Sequence, residues 1–115
     1  MVRVTLWRDE GGRAVGFLVS GHAGYRPRGR DIVCAAVSAL TQAAVMGLEE
    51  YLTVAPEVQK GEGTLQCLLP GDLPVREREK AEVILGTMEL GLRAIARSYR
   101  RFVQVESRRW SRCAR

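Results

Sequence analysis

Histidine occurs once in this chain, at His22, and cysteine three times, at Cys34, Cys67 and Cys113. No two cysteines stand as a CxxC pair, and their odd number argues against a disulfide framework. A zinc site needs three or four ligands, which one imidazole and scattered thiols do not supply, so no metal is expected. No run of eighteen apolar residues is present, so no membrane span is expected. The opening MVRVTLWRDE alternates and carries charge, with neither an apolar signal core nor a small-residue cleavage site. A cytoplasmic protein is the expectation. Repeats, linkers and low-complexity segments are also missing, so residues 1–115 read as a single domain with one core.

What is present is a net charge of +5, unevenly spread. Residues 100–115 hold six arginines against Glu106, and the loop 26–31 holds Arg26, Arg28 and Arg30 against Asp31. The positive field is therefore local and suited to an anionic partner. Residues 2–7 alternate and favour a strand, residues 9–13 are turn chemistry, and residues 14–21 read as the return strand. From Ile32 to about Leu52 the pattern is helical and apolar nearly all round, which predicts a helix buried on most sides. Residues 53–59 and 64–70 flank Gly61 and Gly63 as a second hairpin, with Pro56 marking an edge strand or a late start. A one-sided amphipathic helix over about 74–99 and a strand over 101–107 close the chain. The order ββαββαβ predicts an α+β fold, a five-stranded mostly antiparallel sheet with two helices.

The chemistry concentrates in SGHAGYRPRGRDIVCAAVS, residues 20–38. Asp31 is a good N-cap residue, which makes Cys34 the third residue of the apolar helix. The first amides of a helix have no internal partner, and its dipole favours a thiolate there. Those amides are also candidates to hold an oxyanion, and His22 is a candidate base. Asp31 has two readings, as helix cap or as the group that orients the His22 ring, and its two oxygens leave room for both. Ser38, one turn after Cys34, either faces the same pocket or bonds the carbonyl four residues back. Cys67, in LQCLLP, reads as core, and Cys113 as an exposed tail residue.

SGHAGY followed, after a glycine-containing loop, by GRDIVCAAVSAL resembles the signature of the ribosomal-processing cysteine proteases, the Prp family. The resemblance extends through GTMELGLRAIARSY to the closing strand. It implies a bacterial, cofactor-free thiol endopeptidase, typically a homodimer. Its partner would be the N-terminal segment of a large-subunit ribosomal protein, from which it removes a short extension. His22 and Cys34 would be the catalytic dyad, with Asp31 and Ser38 at the same site and Gly21 and Gly29 as hinges of a lid over the substrate. The family's extension presents hydrophobic and aromatic residues before a small one. RPRGR makes this lid unusually basic, which points Arg26, Arg28 and Arg30, with the tail, to ribosomal RNA or to an acidic substrate residue. Two other classes remain as alternatives. One is a non-catalytic RNA- or ribosome-binding assembly factor, in which Trp110 amid SRRWSR either stacks a base or packs the tail onto the fold. The other is a structural dimer with an inert thiol.

Overall fold

The computed structural model describes residues 1–27 and 29–111, so Arg28 and Cys113 lie outside the described residues. The elements run β1 (Val2–Arg8), β2 (Ala14–Ser20), α1 (Ile32–Tyr51), β3 (Glu57–Gly61), β4 (Thr64–Leu68), α2 (Val75–Ser98) and β5 (Val103–Arg109). They form one sheet in the order β3-β4-β2-β1-β5. β1 and β5 are parallel and the other three pairings are antiparallel, as the expected mostly antiparallel α+β fold requires.

The alternation in β1 decides which face of the sheet is wet. Val2, Val4 and Leu6 are buried, while Arg3 and Thr5 point the other way. Leu6 pairs with Phe17 and Val4 with Val19. Phe17 in turn pairs with Cys67, and Val19 with Leu65. This apolar face receives Ala81, Leu85, Met88 and Leu92 from α2 and Val33, Val37, Val45 and Leu48 from α1. The result is two layers around one core. The second face is open, and there Trp110 packs on Trp7 with ring centroids 4.8 Å apart. That contact realises the packing alternative for Trp110.

One local expectation is met and two shift. β3 is an edge strand and begins late, at Glu57 after Pro56, as the proline led one to expect, and residue 53 is tied elsewhere: Thr53 donates its N–H to Glu77 Oε1 on α2 at 2.7 Å. β5 begins at Val103 because Phe102 and Val103 both donate to the Tyr99 carbonyl in the turn that ends α2. The larger difference concerns α1, which is buried along one face and not on most sides. Ile32 and Met46 are 59% and 68% exposed. In a two-layer fold the outer side of each helix has no third layer to cover it. By length and composition alone α1 is apolar enough to cross a membrane, but its Val33–Leu48 face is built into the core.

The helices approach closely where small residues allow it. A Cβ built on Gly91 would stand 2.7 Å from Leu40 Cδ1, and one on Gly47 would meet Ile84 at 3.6 Å. Gly86, also inside α2, has open space around it. Glycine inside a helix costs about 1 kcal/mol relative to alanine, and overpacking costs about 1–3 kcal/mol. Gly86→Ala should therefore raise unfolding free energy in urea titration by about 0.5–1 kcal/mol. Gly91→Ala should gain nothing or lose stability, because the same propensity gain meets the Leu40 side chain.

Candidate active site

The site forms where β2 ends and α1 begins. Gly21 leaves the sheet with φ +87°, its N–H bonded to the Gly63 carbonyl at 2.9 Å. A Cβ at Gly21 would stand 2.4 Å from the Met1 carbonyl oxygen, so only glycine fits this joint. His22 follows, exposed, with its ring laid over Gly63. A Cβ on Gly63 would come within 3.1 Å of His22 Nε2, and its φ of +70° also favours glycine. Ala23 turns inward and is buried, and its N–H donates to Cys34 Sγ at 3.1 Å. That backbone donor, missed in the sequence, ties the residue after the histidine to the sulfur.

Asp31 organises everything between them. Its Oδ1 accepts from Val33 N at 2.9 Å and Cys34 N at 3.0 Å, capping α1 as expected. Its Oδ2 accepts from Tyr25 N at 2.9 Å and Arg26 N at 3.2 Å, holding the preceding loop. Both oxygens are thus spent on backbone, and the alternative in which Asp31 orients the His22 ring is not the one adopted. The expectation that helix-start amides hold an oxyanion also changes. Val33 and Cys34 N–H are taken by Asp31, and Ala35 N–H bonds the Asp31 carbonyl at 3.0 Å. The donor that meets the sulfur is Ala23 N–H. Burial pushes the Asp31 carboxyl up, but the N–H donors of Cys34, Arg26, Tyr25 and Val33 outweigh it and hold the group below its ordinary 3.8.

The loop has a second anchor that composition did not reveal. Tyr25 packs edge-on against Tyr99 at 5.4 Å and Phe102 at 5.1 Å, and the Arg26 guanidinium lies 4.5 Å over its ring. An aromatic isolated in a Gly/Pro/Arg loop was the available signal. Arg26 and Arg30 are exposed, and Gly29 has φ +85° with open space around it. Ser38 is half-buried, and its hydroxyl accepts from Gln42 Nε2 at 2.5 Å.

Two clefts meet at the thiol, and His22, Cys34 and Ser38 border both. One runs toward the β3–β4 hairpin over Val19, Val37 and Leu65, with Lys60 and Gln42 at its rim. The other runs under the loop past Gly24, Arg26 and Gly29. Cys34 is partly open, whereas Cys67 is fully buried, and burial, with the Glu49 carboxylate adding to it, pushes the Cys67 thiol up to about 12. Among the described residues no cluster of three or more His, Cys, Asp or Glu side chains is placed to hold a metal.

A nucleophile-type residue beside a histidine in a continuous open cleft is the layout of a thiol hydrolase. The sequence profile of the cysteine protease Prp family matches residues 1–104, and the chain belongs to that family of cysteine proteases. The ribosomal processing cysteine protease Prp of Bacillus subtilis (strain 168) is 29% identical over 102 residues, spanning 87% of this chain and 91% of that protein. The crystal structure of the ribosomal processing protease Prp from S. aureus with a covalently linked product peptide superposes with a TM-score of 0.83 at 23% identity, covering 94% of this chain and 100% of that one. SMU.848 from Streptococcus mutans superposes with a TM-score of 0.75 at 28% identity, covering 96% of each chain.

Because the folded Asp31 pKa is depressed, its carboxylate stabilises the fold above the unfolded value of 3.8, and the contribution is lost as pH falls through the lower folded value. Asp31→Asn should melt below the parent at neutral pH, with the gap narrowing below about pH 4. Thermal melts of both proteins from neutral to acid pH measure this. A gap that does not change with pH would show that the charge on Asp31 does not matter.

Proposed function

We propose that this chain cleaves the N-terminal extension of a large-subunit ribosomal protein, with Cys34 as nucleophile and His22 as general base and acid. The observation that carries the reading is the Ala23 N–H donating to Cys34 Sγ at 3.1 Å, in a cleft that His22 borders. The relatives support the substrate class. The Bacillus subtilis protein is named for ribosomal processing, and S. aureus Prp has been crystallised with a substrate peptide and with a product peptide.

The course follows from the groups present. A peptide lies across Cys34, occupying both clefts, and apolar side chains find Val19, Val37 and Leu65 on the hairpin side. The sulfur attacks the scissile carbonyl carbon, a C–S bond forms, and the thiol proton resides on His22. The negative oxygen accepts from Ala23 N–H, which exchanges the sulfur for the oxyanion as charge moves between them. His22 passes its proton to the leaving nitrogen as the C–N bond breaks. Water then attacks the thioester, gives a proton to His22, and releases the acid and the free thiol. Asp31 acts as a positioning residue through the helix start and the loop, and Ser38 with Gln42 shapes the wall shared by the clefts. Gly29 and Gly21 serve the loop, Gly21 as a fixed joint and Gly29 at the tip. No cofactor enters any step.

The protein acts in the cytoplasm as a homodimer, the assembly that the family resemblance implies. The outward stripe of α1, with Ile32, Ala35, Ala39 and Met46 exposed, is an apolar surface with small residues that a second copy would cover. Met46→Glu should then sediment as a monomer under conditions where the parent is a dimer.

Incubation with synthetic N-terminal peptides of ribosomal proteins, read by mass spectrometry, tests the chemistry. Cys34→Ala should retain its melting temperature and lose all cleavage. His22→Ala should fall by roughly 10²–10⁴-fold. A Cys34→Ala protein that cuts as fast as the parent would remove the assignment.

A further inference from the structure

The arginine surplus read from the sequence lay in a loop and a tail, and the fold joins part of each to arginines of α2. The last turns of α2 carry Arg93 and Arg97, and the turn that follows carries Arg100 and Arg101, with no acidic residue between positions 93 and 102. Arg93, Arg97 and Arg100 line a shallow cleft of about 230 Å³ floored by Ala96 and Val105 of β5. Arg93 is partly neutralised, with Nε bonded to Glu89 Oε2 at 2.8 Å, and Glu89 is also paired with Arg8. Glu106 is paired with Arg108 at 3.1 Å. Arg97, Arg100 and Arg101 are exposed and have no ion-pair partner among the described residues. The Tyr25 cluster then joins this corner to the loop. Tyr25 touches Tyr99 and Phe102, the residues that bracket Arg100 and Arg101, and carries Arg26 on its ring.

We infer that Arg97, Arg100 and Arg101, continued by Arg26 and Arg30, form a binding surface for the phosphodiester backbone of RNA, running from the α2–β5 cleft to the loop beside Cys34. Three features favour a polyphosphate over an acidic protein. Arg93 and Arg97 stand one turn apart on α2, about 6 Å along its axis, and Arg100 and Arg101 follow in the turn after it, a run of cations suited to a run of anions. Guanidinium groups bind phosphate through paired donors. The aromatic side chains of the corner offer no deep socket for the anchoring side chain that a protein partner uses, because Tyr25, Tyr99 and Phe102 are packed on one another and the Ala96–Val105 floor is shallow. For the same reason no ring is left to stack a base, and binding is indifferent to sequence. The surface stands whether or not the peptidase reading does. Together they place the thiol next to a ribonucleoprotein.

Fluorescence anisotropy with a labelled uridine 20-mer tests this on the full chain. Five phosphate contacts on a single strand predict a salt slope of about −3.5, a loss near 10²-fold between about 50 and 200 mM. Arg97→Gln/Arg100→Gln should bind more weakly, with the slope reduced to about −2. Arg76→Gln/Lys80→Gln, with the same charge change on exposed residues at the other end of α2, should bind as the parent does. The inference is overturned if the parent does not bind RNA, if the two double variants lose affinity equally, or if polyglutamate displaces the RNA as well as unlabelled RNA does. Cys34→Ala should bind RNA as the parent does, so failure here and failure of cleavage are read separately.

Discussion

One buried carboxylate sets the geometry of this molecule. Asp31 is 8% exposed and accepts four backbone N–H groups, two from the start of α1 and two from the loop that precedes it. The first pair fixes where α1 begins, and therefore where Cys34 stands. The second pair fixes the loop, and with it the chain that returns to Ala23 and His22. Burying a carboxylate is costly unless its oxygens are satisfied, and four donors satisfy them. Helix start and loop are held together because a single side chain is bonded to both, and Cys34 and His22 border the same clefts.

This arrangement has a chemical consequence for the oxyanion. Capping by Asp31 engages the Val33 and Cys34 amides, so in the proposed mechanism the developing charge draws on another donor. Ala23 N–H faces the sulfur before any reaction begins, and in the proposed course it passes from the sulfur to the oxygen that develops charge beside it. The imidazole has no carboxylate behind it among the described hydrogen bonds and is held instead by shape, against Gly63. The proposed site is a dyad with a backbone donor.

Much of this was legible in the sequence, for identifiable reasons. Strands β1 and β2 declared themselves by alternation, and α2 by the spacing of Ala81, Leu85, Met88 and Leu92, because in both cases one face is wet. The neighbourhood of His22 and Cys34 was legible because the connecting loop is short and Asp31 is a cap residue. α1 misled because its outward face is apolar too, and periodicity cannot separate a helix buried all round from one with an exposed apolar stripe. Ala23 and Gly63 were invisible for a different reason. One acts through its backbone and the other by having no side chain, and Gly63 reaches His22 only through the β2–β4 pairing. Tyr25 depended on Tyr99 and Phe102, more than seventy residues away in the chain.

The same contacts limit what the loop can do as a lid. A hinge at Gly21 would have to break its bond to Gly63 and leave the pocket formed by Met1. Opening at residues 25 and 26 would strip two donors from a buried carboxylate and separate Tyr25 from its aromatic partners. Beyond them, Arg30 N–H closes a turn on the Pro27 carbonyl at 3.0 Å, and Gly29 has free space around it. Motion therefore costs least at the tip and most at the root. In the proposed peptidase the root would keep Ala23 N–H beside the sulfur while the tip adjusts to the peptide, which separates substrate fitting from the geometry that the chemistry needs. Arg26 sits on the rigid side of that division and Arg30 on the adjustable side. A polyanion engaging both would bridge the two, and so would reach the tip without disturbing the thiol.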